Sequence, residues 1–178
     1  MTENFFLVRL SPEHIIKPFR CDDNDLNDFF HNDALPHAIQ LLAVTYILES
    51  DSETIAFFSL LNDKISISDM PSKTMWKKLI SKAMPERKKY RSYPAVKLGR
   101  LGVNDSYAGK GYGTMILDFI KELFVYKNRT GCRFITVDAY NDVNVLKFYQ
   151  KNDFKFLTTK DEKEQTRLMY YDLKQVTN

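Results

Sequence analysis

Apolar positions along the chain change period several times, and each change predicts an element. Phe5 to Leu10 alternates loosely with polar residues, as a strand with one buried face does. Asp22-Asp23-Asn24-Asp25 supplies capping residues and first-turn acids for a helix carrying Leu26, Phe29 and Phe30. Leu41 to Glu49 and Thr54 to Leu61 are rich in β-branched and aromatic residues, and the turn-prone Ser50-Asp51-Ser52 between them predicts an antiparallel pair. Ile65 and Ile67 alternate with Ser66 and Ser68, continuing or adding a strand. Helical spacing takes over at Met75, Trp76, Leu79 and Ile80, which predicts a helix over Lys73 to Ala83, stopped by Pro85.

Pro94 opens the next strand, Ala95 to Val103. Met115, Ile116, Phe119, Ile120 and Leu123 then recur on one helical face, predicting a helix from Gly111 or Tyr112 to Lys127 with Asn128 and Gly131 as stop signals. Phe134 to Ala139 is a short apolar strand and Val143 to Lys151 a short helix. Phe154-Lys155-Phe156 and Arg167 to Leu173 close the chain as strands, with Lys160 to Gln165 as a hairpin tip. Strands in both halves with helices between them predict a mixed sheet in an α/β or α+β layer. No repeat, low-complexity tract or linker divides the chain, so residues 1–178 are expected to form a single domain.

Composition agrees with a self-sufficient core. The 178 residues are 44% apolar and 28% charged, and a chain of this length buries roughly 70% of the surface its unfolded form exposes. The longest apolar stretch, Ile55 to Leu61, is far short of the roughly 20 residues a membrane helix needs, so no membrane partner is expected. Met1-Thr2-Glu3-Asn4 carries no positive cluster before an apolar run, which predicts no secretory signal and a cytoplasmic location. Cys21 and Cys132 fit no zinc or redox spacing and read as free thiols. His14, His31 and His37 are too scattered to predict a metal site.

The formal charge of +3 hides an asymmetry. Between Lys73 and Arg100 ten basic residues, among them Lys77, Lys82, Lys88, Lys89 and Arg91, face the single acid Glu86, a net +9 where the rest of the chain carries −6. A field divided this way points to an anionic ligand, unless the side chains diverge on a solvated face.

Leu101-Gly102-Val103-Asn104-Asp105-Ser106-Tyr107-Ala108-Gly109-Lys110-Gly111-Tyr112-Gly113-Thr114 is the most informative stretch. It places a strand, a loop with glycines at alternate positions and an amphipathic helix in succession. Glycine permits close backbone approach, and a helix start offers unpaired N–H groups, so a phosphate is the natural guest. The P-loop template fails because Lys110 precedes the last glycines, and the dinucleotide fingerprint fails on glycine spacing and position.

The spacing resembles the coenzyme A pyrophosphate loop of the GNAT N-acetyltransferase superfamily, Q/R-x-x-G-x-G/A. Gly111 and Gly113 match, and Ala108 stands where Gln or Arg is usual. Asn141-Asp142-Val143-Asn144-Val145-Leu146-Lys147-Phe148-Tyr149-Gln150-Lys151-Asn152-Asp153-Phe154 is similar to the same family's late signature, an Asn-containing turn, a short helix with F-Y, then K-x-G-F. Val145 replaces the usual Ala and Asp153 the usual Gly. The resemblance implies a six- to seven-stranded, mostly antiparallel mixed sheet splayed between its fourth and fifth strands, with Gly102 suited to a bulge in the fourth.

The same resemblance implies acetyl-CoA as cosubstrate, held by Leu101, Gly102, Val103, Ala108, Gly109, Lys110, Gly111, Tyr112, Gly113, Thr114, Asn141, Asn144 and Phe148. It implies direct attack of an amine on the thioester, backbone amides near Val103 as oxyanion donors and Tyr149 as general acid, whose ordinary pKa of about 10 keeps it protonated at neutral pH. No Glu or His lies in the fourth strand to serve as base. Deprotonating a lysine at pH 7 costs roughly 4.6 kcal/mol but an α-amine only about 1.1, so an α-amine acceptor needs no strong base. Met84-Pro85, Leu98 to Val103 and the run from Phe19 to Phe30 look similar to the toxin branch that acetylates aminoacyl-tRNA, and also to its unpaired relatives. In that reading Lys88, Lys89, Arg91 and Arg100 contact tRNA phosphates. A degenerate acyl-CoA-binding module is the non-enzymatic alternative, and a homodimer is left open.

Overall fold

The computed structural model describes residues 4–81, 90–127 and 130–177. Seven strands form one sheet in the order β1-β2-β3-β4-β5-β7-β6. They are β1 (Phe6–Arg9), β2 (Val44–Glu49), β3 (Thr54–Ser66), β4 (Ser92–Val103), β5 (Phe134–Tyr140), β6 (Lys155–Phe156) and β7 (Thr166–Asp172). The helices are α1 (Asn24–Asp28), α2 (Ala34–Ile39), α3 (Lys73–Ser81), α4 (Tyr112–Tyr126) and α5 (Val143–Lys151). The sheet is mostly antiparallel, and its parallel pair is β4 with β5. This is the expected mixed α/β (α+β) architecture.

Several elements differ from the pattern in instructive ways. Ile65 and Ser66 extend β3 into one 13-residue strand. The first helix breaks after Asp28 into a π-type turn, Phe29–Asp33, before α2 continues to Ile39. Pro36 explains the widened turn, because its ring would collide with the Asn32 carbonyl in a regular α-helix. The strand expected from Ala95 begins at Ser92 and takes Pro94 near its start, where one missing donor does little harm. The end of the α3 expectation, with Met84 and Pro85, lies outside the described residues.

The chain divides into two compact units, residues 1–61 with 98–120 and residues 62–97 with 121–178, and β3, β4 and α4 each contribute to both. In the first unit Phe57, fully buried on β3, is the hub. Phe30 stacks on it at 4.5 Å, while Phe19 meets it edge-on at 5.2 Å. Leu10, Cys21, Phe29, Ala34 and Ile47 complete that core. Phe5, Phe6 and Leu7, at the free margin of the sheet, stay exposed.

The second unit packs Trp76 of α3 against Tyr93 at 5.6 Å, together with Ile65, Met70, Ala95, Phe134 and Leu157. Here β4 pairs with β5 through Ala95–Phe134, Val96–Ile135 and Lys97–Thr136. Beyond Lys97 the register gives β4 no further β5 partner, although β4 runs to Val103 and β5 to Tyr140.

Candidate active site

The end of β4 and the start of α4 belong to the first unit. Gly102 is explained by packing: a Cβ there would lie 2.6 Å from Phe57 Cε1 and 3.1 Å from Phe19 Cζ. Its flanking residues Leu101 and Val103 are half-buried. Asn104 then closes the strand. Its N–H donates to the Ile55 carbonyl at 2.8 Å, its Nδ2 donates to the Thr54 carbonyl at 3.0 Å, and its Oδ1 accepts from the Ser106 N–H at 3.1 Å. A single 3₁₀ turn over Asp105–Tyr107 follows.

From Ala108 to Gly111 the chain is exposed. Gly109 (φ 71°) and Gly111 (φ 89°) take the left-handed conformation that glycine adopts without strain. The Ala108 and Lys110 N–H groups are spent on turn bonds to Asp105 and Tyr107. The first helical bond runs from the Met115 N–H to the Gly111 carbonyl at 3.0 Å. The N–H groups of Gly109, Gly111, Tyr112, Gly113 and Thr114 therefore have no acceptor among the described residues. A row of open donors at the positive end of a 15-residue helix suits a phosphate.

Tyr149, Asn141, Asn144 and Phe148 belong to the second unit, on and before α5. Asp142 caps the helix, its Oδ1 accepting from the Asn144 and Val145 N–H groups at 2.8 and 3.1 Å. Asn141 spends both Nδ2 protons on the carbonyls of Glu162 (3.0 Å) and Glu164 (2.9 Å), latching the hairpin tip. The far end of α5 closes as a Schellman motif: Phe154 N–H to the Tyr149 carbonyl at 3.0 Å and Asp153 N–H to the Gln150 carbonyl at 3.1 Å. Asp153, in the place of the signature's glycine, carries the left-handed φ of 68°. The accompanying apolar contact is Phe154 on Tyr149, ring centroids 5.4 Å apart.

Tyr149 is thus fixed through its own carbonyl and ring. It is 7% exposed, and burial pushes the phenol's pKa up, so it stays a neutral proton donor. Its hydroxyl has no partner among the described residues.

Two carboxylates on the strands beside the fourth have no counterpart in the sequence analysis, because nothing in the spacing joins them to it. Asp63 on β3 accepts from the Thr136 hydroxyl, and Asp138 on β5 pairs with Lys97. Both are engaged, and neither is an unencumbered base.

Partners also dilute the basic segment. Lys97 is held by Asp138, and Arg100 lies 3.5 Å from Asp25 and over the Phe29 ring. Arg91 is exposed, and its carbonyl takes the Ile67 N–H at 2.9 Å. Lys82, Arg87, Lys88 and Lys89 lie outside the described residues. Among the described residues no three His, Cys, Asp or Glu side chains group to hold a metal, and no helix is long and apolar enough to cross a membrane.

Residues 74–156 match the acetyltransferase (GNAT) domain family. Over those residues the chain is similar to GNAT N-acetyltransferases, and its fold is the GNAT fold. Among solved structures it is similar to a Tyr→Phe mutant of KacT, with a TM-score of 0.78 and 21% identity over 99% of this chain and 98% of that one. It is also similar to AtaT complexed with acetyl-methionyl-tRNAfMet (TM-score 0.74, 18% identity, 98% of each chain). A third likeness is AtaTR bound with AcCoA (TM-score 0.74, 20% identity, 97% of this chain and 96% of that one). A search of curated proteins gave no match.

Proposed function

We propose that one acetyltransferase domain spans the chain and moves an acetyl group from acetyl-CoA to a primary amine by direct attack. The observation that carries this reading is the set of five open N–H groups at Gly109, Gly111, Tyr112, Gly113 and Thr114. Two of these positions are backbone conformations that glycine favours. AtaTR bound with AcCoA, a structure of the same fold, supports acetyl-CoA as the donor.

The glycine loop grips the diphosphate. Backbone groups near Leu101 to Val103 meet the pantetheine arm, and an amide near Val103 takes the charge that develops on the carbonyl oxygen. The amine nitrogen bonds to the thioester carbonyl carbon and the C–S bond breaks. Tyr149 passes its phenolic proton to the leaving thiolate, while the amine's surplus proton goes to solvent. A thiol's pKa of about 8.5 lies below that of a phenol, so this transfer runs uphill, and it is completed when the phenolate takes from solvent the equivalent of the proton the amine released.

A second reading narrows the acceptor to the α-amine of an aminoacyl-tRNA. AtaT complexed with acetyl-methionyl-tRNAfMet shares the fold, and such an amine is close to neutral at working pH. Engaged carboxylates at Asp63 and Asp138 are no handicap for that acceptor. Acetyl transfer from labelled acetyl-CoA to bulk charged tRNA, run beside polyamines and peptide amines, tests both. Labelled aminoacyl-tRNA supports the narrower reading, label only on small amines leaves the broader one, and no label on any amine overturns both.

A further inference from the structure

The glycine loop has a methyl group, Ala108, where its pattern expects a long polar side chain. Two residues on, Lys110 carries the loop's single cation, and it has no carboxylate partner among the described residues. Its Nζ lies over the Tyr107 ring, 5.2 Å from the centroid. A lysine alone on a loop samples many rotamers, and a ring face beneath it narrows that sampling.

The ring itself is held at every side. Tyr107 is 8% exposed, and its hydroxyl donates to Glu53 Oε1 at 3.0 Å. The other oxygen of Glu53 lies 3.5 Å from Asn104 Nδ2. The Tyr107 N–H donates to the Asn104 carbonyl at 2.8 Å. Tyr112, the first residue of α4, meets the ring edge-on at 5.6 Å. A phenol that donates to a carboxylate is richer in electrons, which strengthens its attraction for a cation above its face.

We propose that Glu53 and Tyr107 are positioning residues that hold the Lys110 ammonium over the glycine loop as a side-chain ligand for the phosphates of coenzyme A, in the role Ala108 cannot fill. The inference rests on the loop being the diphosphate seat. It assigns a task to the β2–β3 turn, where Glu53 sits, far from the loop in sequence.

Calorimetry with coenzyme A, and with pantetheine as a probe lacking the phosphates, tests it together with steady-state kinetics. Lys110→Gln is expected to weaken coenzyme A about tenfold, to raise KM for acetyl-CoA with little change in kcat, and to flatten the salt dependence of binding. Pantetheine binding should stay as it was. Glu53→Gln and Tyr107→Phe should each weaken coenzyme A about threefold, and Glu53→Gln should add nothing once Lys110 is Gln. Unchanged coenzyme A affinity in Lys110→Gln overturns the proposal, as does a Glu53→Gln effect that persists in full on the Lys110→Gln background. Failure of the unaltered protein to bind coenzyme A overturns the seat itself, a result distinct from either.

Discussion

Two helices in this molecule begin in opposite ways. α5 is finished by its own side chains: Asp142 takes two of its first N–H groups, and a Schellman closure ends it. α4 starts bare, with an exposed glycine loop in front and no side-chain cap among the described residues. A missing cap commonly costs a helix about 1 kcal/mol. The contrast separates a helix closed at both ends from one that leaves its first N–H groups open, the end proposed above to bind. In the proposed function the side chain of Tyr149 on α5 supplies the proton, and the main chain at the start of α4 holds the phosphates.

The sharpest way to break the comparison is to exchange what each end contributes. Tyr149→Phe should lower kcat by about 10²–10⁴-fold while coenzyme A affinity stays within a factor of about two, measured by initial rates and calorimetry. An equal fall in affinity would mean the hydroxyl serves binding and not proton transfer. A sensor without turnover would show no rate to lose.

Gly111→Val attacks the other end. A Cβ at Gly111 meets nothing within 4 Å, so the damage comes from its φ of 89° and from crowding of the open donors. Coenzyme A affinity should fall about tenfold or more, with a stability loss of roughly 1–2 kcal/mol by urea unfolding. The reverse weighting, a large stability loss with intact affinity, would show that the glycine serves the turn alone.

Two smaller changes tune α5 without touching α4. Asp142→Ala should cost about 1 kcal/mol and lower Tm by about 2–4 °C, and coenzyme A affinity should be unaltered. Asp153→Gly relieves a left-handed residue and should raise stability by up to about 1 kcal/mol in the same thermal assay.

The smallest effect concerns Cys132, whose thiol is pushed up to about 11 by burial. The folded state holds that proton more tightly than the unfolded one. Its stabilisation is complete below pH 9 and fades as pH rises through 11. Urea unfolding of Cys132→Ala should therefore show a shallower decline over that alkaline range than the unaltered protein.

Much of this was legible in residue order, for identifiable reasons. The apolar stripe from Met115 to Leu123 located α4 closely, because a sustained 3.6-residue period has few competing explanations. The glycine loop was legible for the same reason that it works: alternate glycines are costly unless the backbone needs them. Asp153 was noticed as a departure from the signature, but only its φ shows that the position demands a left-handed residue, which Asp tolerates.

What escaped was long-range. Nothing in the spacing links Glu53 to Tyr107, or Asp63 to Thr136, since sheet register brings together residues that are remote in sequence. The π-type turn at Phe29–Asp33 was missed because Pro36 acts on a carbonyl four residues earlier. The glycine at 102 was legible as a backbone device, and what residue order did not show is that the Phe57 ring also leaves no room for a side chain there.

One last consequence belongs to the sheet's outer margin. β1 is a four-residue end strand that exposes Phe6 and Leu7, with Phe5 just before it, and Arg9 is its exposed charge. An open strand margin is a template for pairing with another chain, so self-association is expected to rise with concentration and to fall in Leu7→Lys, as read by light scattering. Storage and crystallisation will reward dilute handling or a charged residue at Leu7.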